Sequence, residues 1–382
     1  MDKHIVIIGS GFAAYQLVKS LRKLDGAAPI TVITADSGDD YSKPELSHVF
    51  SRRQTAGDLI KQTADEFAAS QQIALMNYTE VQSIDTEAKV VRLPDHQINY
   101  SELVLATGAS SLVPAFEGNA TDEIATLNSL AEYANRQDRL AAAKSVVVMG
   151  AGLIGTEIAM DLTLAGKQVT LCDRAESLMP TLLPSFLGAE LYQVMVENQV
   201  RVKLSSTVQA VNRHHQQLIV QFDDQSYVEA DAVIAAMGLK PNILLASNAG
   251  LAVNQGILID DQLRTSGQDV YALGDCAEFD GKVRAFLQPT MLSAIALAKT
   301  LLGTPTPVKL PASLIKAKTP WFPLSLSGQT AGVQARWEVT RYDDEGYIAK
   351  AFDRETETLI GFVVSHEQQK SAFPLLRQLP AE

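Results

Sequence analysis

The chain has 382 residues, 46% of them hydrophobic, and a formal net charge of −12. That length accommodates two or three domains with sizeable cores. The acidic balance disfavours nucleic acid and anionic membrane as partners, while leaving room for a local basic patch that docks an acidic protein.

Cysteine and histidine usage narrows the chemistry. Cys172 and Cys276 are the only two cysteines, far apart and in no Cys-x-x-Cys pair, which excludes a disulfide framework and iron–sulfur or zinc ligand sets. The six histidines show no metal-ligand spacing, so no metal site is expected. Redox chemistry would have to come from a bound organic cofactor. The start, Met1 to Gly9, is too short an apolar run for a signal peptide, and no stretch is long and apolar enough to span a bilayer, so a cytoplasmic location is expected.

In chain order, Ile5–Ile8 reads as a buried strand running into Gly9-Ser10-Gly11-Phe12-Ala13-Ala14 and then a helical pattern through Leu17, Val18 and Leu21. Ile30–Thr34 follows as a second β-branched strand. This is a βαβ unit with a Gly-x-Gly-x-x-Ala turn: the first glycine makes the turn, the second admits a pyrophosphate, and the small third residue packs helix on strand. The acid expected about 20 residues on has no clear candidate. Asp36, or backbone groups at Thr34 and Ala35, could meet a ribose; Asp36 could equally open its own turn. Lys43 precedes Pro44, which biases it to extended backbone and suits a reach over a ligand, although a solvated loop lysine fits as well. Thr79-Glu80-Val81 is read as the start of a β-rich stretch. Leu103–Ala109, containing Ala106, Thr107 and Gly108, is another buried strand ending in glycine.

A second unit begins after Pro114 and Gly118. Leu127–Ala143 reads as helix, and the strand Val146–Met149 leads into Gly150-Ala151-Gly152-Leu153-Ile154-Gly155, a full Gly-x-Gly-x-x-Gly. The next strand ends at Cys172-Asp173, supplying the ribose acid; Asp173 favours NAD, with Arg174 beside it pulling toward NADP. Glu157 has two readings, favourable placement near the helix dipole or a carboxylate beside a redox ring. The chain leaves this unit at the Gly238–Asn242 turn. Val270-Tyr271-Ala272-Leu273 is a short strand stopping at Gly274-Asp275, where a ligand can approach the backbone. Gln288 to Leu302 is expected to be a helix with Pro289 in its first turn. Pro305, Pro307 and Pro311 suggest a linker, and Trp337–Val339, Tyr347–Phe352 and Leu359–Val364 read as antiparallel strands of a small mixed domain.

Taken together, Gly9–Ala14, Tyr41–Pro44, Leu103–Ala109, Gly150–Glu157, Gly238–Asn242 and Asp269–Ala277 resemble the two-dinucleotide-fold flavoprotein reductases over nearly the full chain. Within that group, Tyr41-Ser42-Lys43-Pro44, Lys318-Thr319-Pro320 and the short C-terminal domain most resemble rubredoxin–NAD reductases, which supply electrons to rubredoxin in bacterial alkane hydroxylation. The resemblance implies an α/β fold with two Rossmann-like domains and a small α+β C-terminal domain. Residues 1–111 and 240–308 would form the FAD domain, 112–239 the NAD domain and 309–382 the C-terminal domain. It implies FAD held by Gly9, Ser10, Gly11, Phe12, Ala13, Ala14, Thr34, Ala35, Lys43, Val81, Ala106, Thr107, Gly108, Gly274 and Asp275, with Leu287 and Lys318 near the flavin. It implies NADH on Gly150, Gly152, Leu153, Ile154, Gly155, Asp173 and Gly238, with Glu157 near the junction of the cofactors.

The activity this implies is transfer of a hydride from NADH to FAD and of single electrons to rubredoxin or a similar iron–sulfur protein, with no protein side chain as catalyst. A ferredoxin reductase and an NADH oxidase are neighbouring alternatives, although neither cysteine sits in the loop near Lys43 as an oxidase would require. A flavin-containing protein that answers NADH by changing conformation is an alternative of another class.

Overall fold

The computed structural model describes residues 3–380. The chain divides into two compact units. The first comprises Met1–Lys43, Leu59–Ser110 and Leu239–Leu310; the second comprises Pro44–Asp58, Ser111–Gly238 and Pro311–Glu382.

The first unit is built on a five-stranded parallel sheet in the order Val270–Ala272, Glu102–Leu105, Ile5–Ile8, Ile30–Ile33, Ala74–Met76. Ile5 pairs with Ile30 on one side and with Glu102 on the other. Strand alternation sends Ile5 and Ile7 into one core and Val6 and Ile8 into another, so both faces are buried and the run is continuously apolar. One face is covered by helix Phe12–Leu24, through Ala14, Leu17, Val18 and Leu21, packed with helix Leu287–Leu301 through Ala294, Leu297, Ala298 and Leu301. A three-stranded antiparallel sheet, Ser83–Asp85, Val90–Arg92 and Gln97–Asn99, adds to this unit. Thr79 and Val81 precede it in a loop, not a strand; the Thr79 amide donates to the Thr34 carbonyl at 2.8 Å.

The second unit repeats the plan with four parallel strands, Arg201–Lys203, Gln168–Cys172, Ser145–Met149 and Ala232–Ala235. In both sheets the strand before the glycine turn lies centrally, with the next strand on one side and a late strand on the other. This is the arrangement whose switch point opens a crevice at the carboxyl ends of the strands. The segment read as one helix from Leu127 is two, Leu130–Ala134 and Gln137–Ala142. Ser129 caps the first by accepting from the Glu132 amide at 3.1 Å, and Asn135 and Arg136 separate it from the second. The C-terminal strands form one antiparallel sheet in the order Ile315–Ala317, Leu324–Gly328, Leu359–Ser365, Tyr347–Phe352, Arg336–Arg341. Phe362 and Val364 pack there with Ala372 and Leu375 of the last helix. Among the described residues no helix is long and apolar enough to cross a membrane.

Candidate functional site: two glycine turns and a buried carboxylate latch

The first turn is shaped from both sides. Gly9 has φ +113°, and a Cβ there would strike the Ala106 carbonyl of the neighbouring strand, so only glycine fits. Gly11 differs. Its backbone is extended, at φ −74°, and a Cβ there would meet nothing within 4 Å. The protein itself makes no demand for glycine at that point; an approaching ligand would. Helix Phe12–Leu24 starts with no side-chain cap and no acid in its first turn. By contrast, Thr63 and Glu66 cap helix Ala64–Gln71 reciprocally. The uncapped amides at this helix start suit a phosphate.

Other expected residues of the first unit gather around this turn. Gly274, at φ +82°, lies so close to helix Phe12–Leu24 that a Cβ would come to 2.6 Å from the Ala13 Cβ. Asp275 follows, with Lys43 Nζ at 3.9 Å from Oδ2. Burial holds the Asp275 carboxyl above the usual carboxylate range, with Lys43 pulling it back down. Thr107 is fixed by a double tie to Asn242: its hydroxyl donates to the Asn242 carbonyl and the Asn242 amide donates to its own, both at 2.8 Å. Val81 packs against the core below the sheet. Ala35 is exposed, as is Leu287, the first residue of its helix. Lys43 opens a short 3-10 helix, Lys43–His48, where an extended segment was expected.

The second turn is tighter. A Cβ on Gly150 would strike the Ala236 carbonyl, and one on Gly155 would run into the Gly150 carbonyl, while Gly152 again faces open space. Helix Leu153–Leu164 also begins uncapped and without an acid in its first turn. Leu153 and Ile154 start it, with Ile154 exposed. Asp173 Oδ2 accepts from the Ala151 amide at 2.6 Å and Oδ1 from the Ala175 amide at 2.8 Å. Gly238, at φ +109°, has open space beside it and accepts from the Leu112 amide at 2.9 Å.

The register identifies the first unit's counterpart of Asp173. Gly9 N donates to Ile33 O and Gly150 N to Cys172 O, both at 2.8 Å, so the residue after each strand corresponds: Thr34 and Asp173. Ser10 Oγ donates to Thr34 Oγ1 at 2.9 Å where the second unit has the Ala151–Asp173 bond. Asp36 instead accepts from the Ser37 amide at 2.8 Å, inside its own turn.

Glu157 is held by partners from distant parts of the sequence. Buried at the fifth position of its helix, it accepts from the Ser47 hydroxyl at 2.9 Å and the Lys318 amide at 2.7 Å, with His48 Nε2 at 3.6 Å. One turn on, Asp161 accepts from the Phe50 amide at 2.7 Å, the Ser51 amide at 3.2 Å and the Ser51 hydroxyl. The i, i+4 carboxylates thus latch the 47–51 segment, and Glu157 also holds the strand end at Lys318. Burial pushes the His48 imidazole below its ordinary value, against the pull of Glu157. Lys318 Nζ donates to the Pro44 carbonyl at 3.3 Å. A cleft of about 400 Å³ opens beside this latch. Sequence reasoning missed Ser47, His48, Arg52 and Asp161; two acids four apart in an otherwise apolar helix were the available signal.

These features fit two dinucleotides. Each turn offers unshared amides, open space at its second glycine, and a hydrogen-bonding side chain at the end of the next strand. Cys172 and Cys276 are both buried, and burial raises both above the ordinary thiol range.

Comparison with known proteins agrees. The family model described as pyridine nucleotide-disulphide oxidoreductase matches residues 3–299, and one described as rubredoxin binding C-terminal domain matches 307–379. The chain is 47% identical over 379 residues to the nitric oxide reductase FlRd-NAD(+) reductase of Aliivibrio fischeri, covering 99% of each. It is also 47% identical over 380 residues to the protein of that name from Shigella dysenteriae serotype 1, covering 100% of both. Among solved structures, a chain of the covalent putidaredoxin reductase–putidaredoxin complex superposes with a TM-score of 0.88 at 25% identity, covering 100% of this chain and 94% of that one. A ferredoxin reductase from Rhodopseudomonas palustris gives 0.89 at 25%, covering 100% and 96%.

Proposed function

We propose, for a chain that belongs to the pyridine nucleotide-disulphide oxidoreductase family, that it is an NADH-dependent FAD reductase passing electrons singly to a flavorubredoxin, in the service of nitric oxide reduction. The observation that carries this reading is the rubredoxin-binding C-terminal part, in a chain that matches FlRd reductases from end to end. The relatives' name favours nitric oxide reduction over the alkane hydroxylation implied by the sequence resemblance.

The chemistry that FAD supplies when bound is acceptance of a hydride from NADH and release of single electrons. The chain's own part is grip and orientation. On the first turn, Gly11 leaves room for the pyrophosphate and the uncapped amides bind it. Asp275 accepts a hydroxyl of the ribityl chain, and Lys43 beside it favours the ionised carboxylate. On the second turn, Gly152 and its helix bind the NADH pyrophosphate, and Asp173 takes the ribose hydroxyls and repels a 2′-phosphate. Buried, separately bonded thiols fit a reductase that works without a disulfide.

The test is anaerobic stopped flow. Protein reduced by NADH is mixed with a flavorubredoxin, a two-iron ferredoxin or oxygen. The expected result is reoxidation by the flavorubredoxin at least tenfold faster than by the others. A colourless protein, a flavin that NADH does not bleach, or equal rates with all three acceptors would refute the assignment.

A further inference from the structure

The acidic chain carries a cationic cleft in its second unit, and the mechanism above leaves it unused. The cleft of about 400 Å³ is lined by His48, Ser51, Arg52, Asp161, Lys318 and Thr319. Its carboxylates face inward: Asp161 is buried and turned onto the Phe50 and Ser51 amides, and Glu157 behind it onto Ser47 and the Lys318 amide. Its cations face outward, because Arg52, the adjoining Arg53 and Lys318 are all exposed. Among the described residues, neither Arg52 nor Lys318 makes an ion pair with a carboxylate, and Lys318 Nζ reaches only the Pro44 carbonyl. The fold thus anchors the 47–51 segment by buried acids and presents uncompensated positive charge at the rim. Burial lowers the His48 pKa from its ordinary value, with the Lys318 and Arg52 charges acting the same way and Glu157 and Asp161 against them.

We propose that a rubredoxin-type acceptor docks in this cleft, with the anionic end that holds its iron seated against Arg52 and Lys318. The proposal rests on the reading of the chain as a reductase of such a protein. Charge complementarity selects the occupant. An iron held by four thiolates carries a single negative charge when ferric and a double one when ferrous. Each electron passed from reduced flavin to ferric iron therefore adds one negative charge to the docked end. Fixed cations there speed encounter and favour the reduced acceptor over the oxidised one. Lys318 lies within the segment matched as rubredoxin-binding, whereas Arg52 lies far outside it, so the surface extends beyond that segment.

Arg52→Glu and Arg52→Gln, with Arg201→Glu as an exposed control in the same unit but outside the segment matched as rubredoxin-binding, distinguish the outcomes. Each variant, loaded with FAD and reduced by NADH, is mixed in stopped flow with full-length flavorubredoxin over a range of ionic strength. Arg52→Glu is expected to lower the second-order rate about tenfold at low salt, with a flatter salt dependence. Arg52→Gln should fall between it and the parent, and Arg201→Glu within twofold of the parent. Bleaching by NADH should be unchanged in all of them. The docking site is overturned if Arg52→Glu matches the parent, if it slows bleaching by the same factor, or if Arg201→Glu has an equal effect. A parent protein that NADH bleaches but flavorubredoxin does not reoxidise overturns the functional reading itself, and the docking site with it.

Discussion

The two glycine turns solve one problem with different residues. In both, the first glycine is required by a neighbouring carbonyl, Ala106 in one and Ala236 in the other, and the second faces open space. They part at the third position: Gly155 is pressed against the Gly150 carbonyl, whereas Ala14 is fully buried with its Cβ accommodated. They part again at the end of the next strand, where Asp173 binds an amide with a carboxylate and Thr34 shares a neutral bond with Ser10. The first and third positions therefore serve packing and can drift together with it. The second serves the ligand, and it is the one whose glycine the protein interior does not explain.

The largest expected effect separates the third positions. Gly155→Ala should destabilise the protein by about 3 kcal/mol, because the methyl has only backbone to displace. Ala14→Gly should cost only about 1 kcal/mol, the ordinary helix penalty. Denaturant midpoints measure both, and equal losses would erase the distinction. Next come the strand ends. Asp173→Ala should raise the NADH dissociation constant roughly tenfold or more, since it removes a charged acceptor. Thr34→Ala should weaken FAD by about threefold at most, in keeping with a neutral bond. Fluorescence titrations of the two cofactors decide this, and a larger loss at Thr34 would reverse the ranking.

The smallest effect is a pH dependence confined to the first unit. Burial raises the folded-state pKa of Asp275, so the folded chain holds that proton more tightly than the unfolded one. Its contribution to stability therefore falls as pH climbs from the usual aspartate range through the raised value. Asp275→Asn should then melt higher than the parent at neutral pH when both are stripped of flavin. The gap should close in acid, below the usual aspartate range. A gap that widens in acid would contradict the sign.

The inner strands of both parallel sheets were legible because they are largely apolar and each first strand ends in a glycine turn, but the edge strands Ala74–Met76 and Arg201–Lys203 were not. Three of the five C-terminal strands were legible from their alternation and polar turns; Ile315–Ala317 and Leu324–Gly328 were not. For the ribose side of the first unit the sequence left Asp36 and the backbone of Thr34 and Ala35 as alternatives, and the register between Gly9 and Ile33 aligns Thr34 with Asp173. The latch was hidden for a different reason. Glu157 and Asp161 meet Ser47 and Ser51 across about 110 positions of sequence, and no local pattern encodes such a pairing. The break at Asn135–Arg136 was obscured by good helix formers on both sides of it.

The most direct measurement compares Gly11→Val with Gly152→Val for flavin content and NADH affinity, since negative φ at both sites lets valine fold in without strain. Gly11→Val should purify colourless yet bind NADH with an unchanged constant, and Gly152→Val should purify yellow with full flavin that NADH no longer bleaches. A yellow Gly11→Val protein, or two variants that each lose both nucleotides, would contradict the assignment of one dinucleotide to each turn.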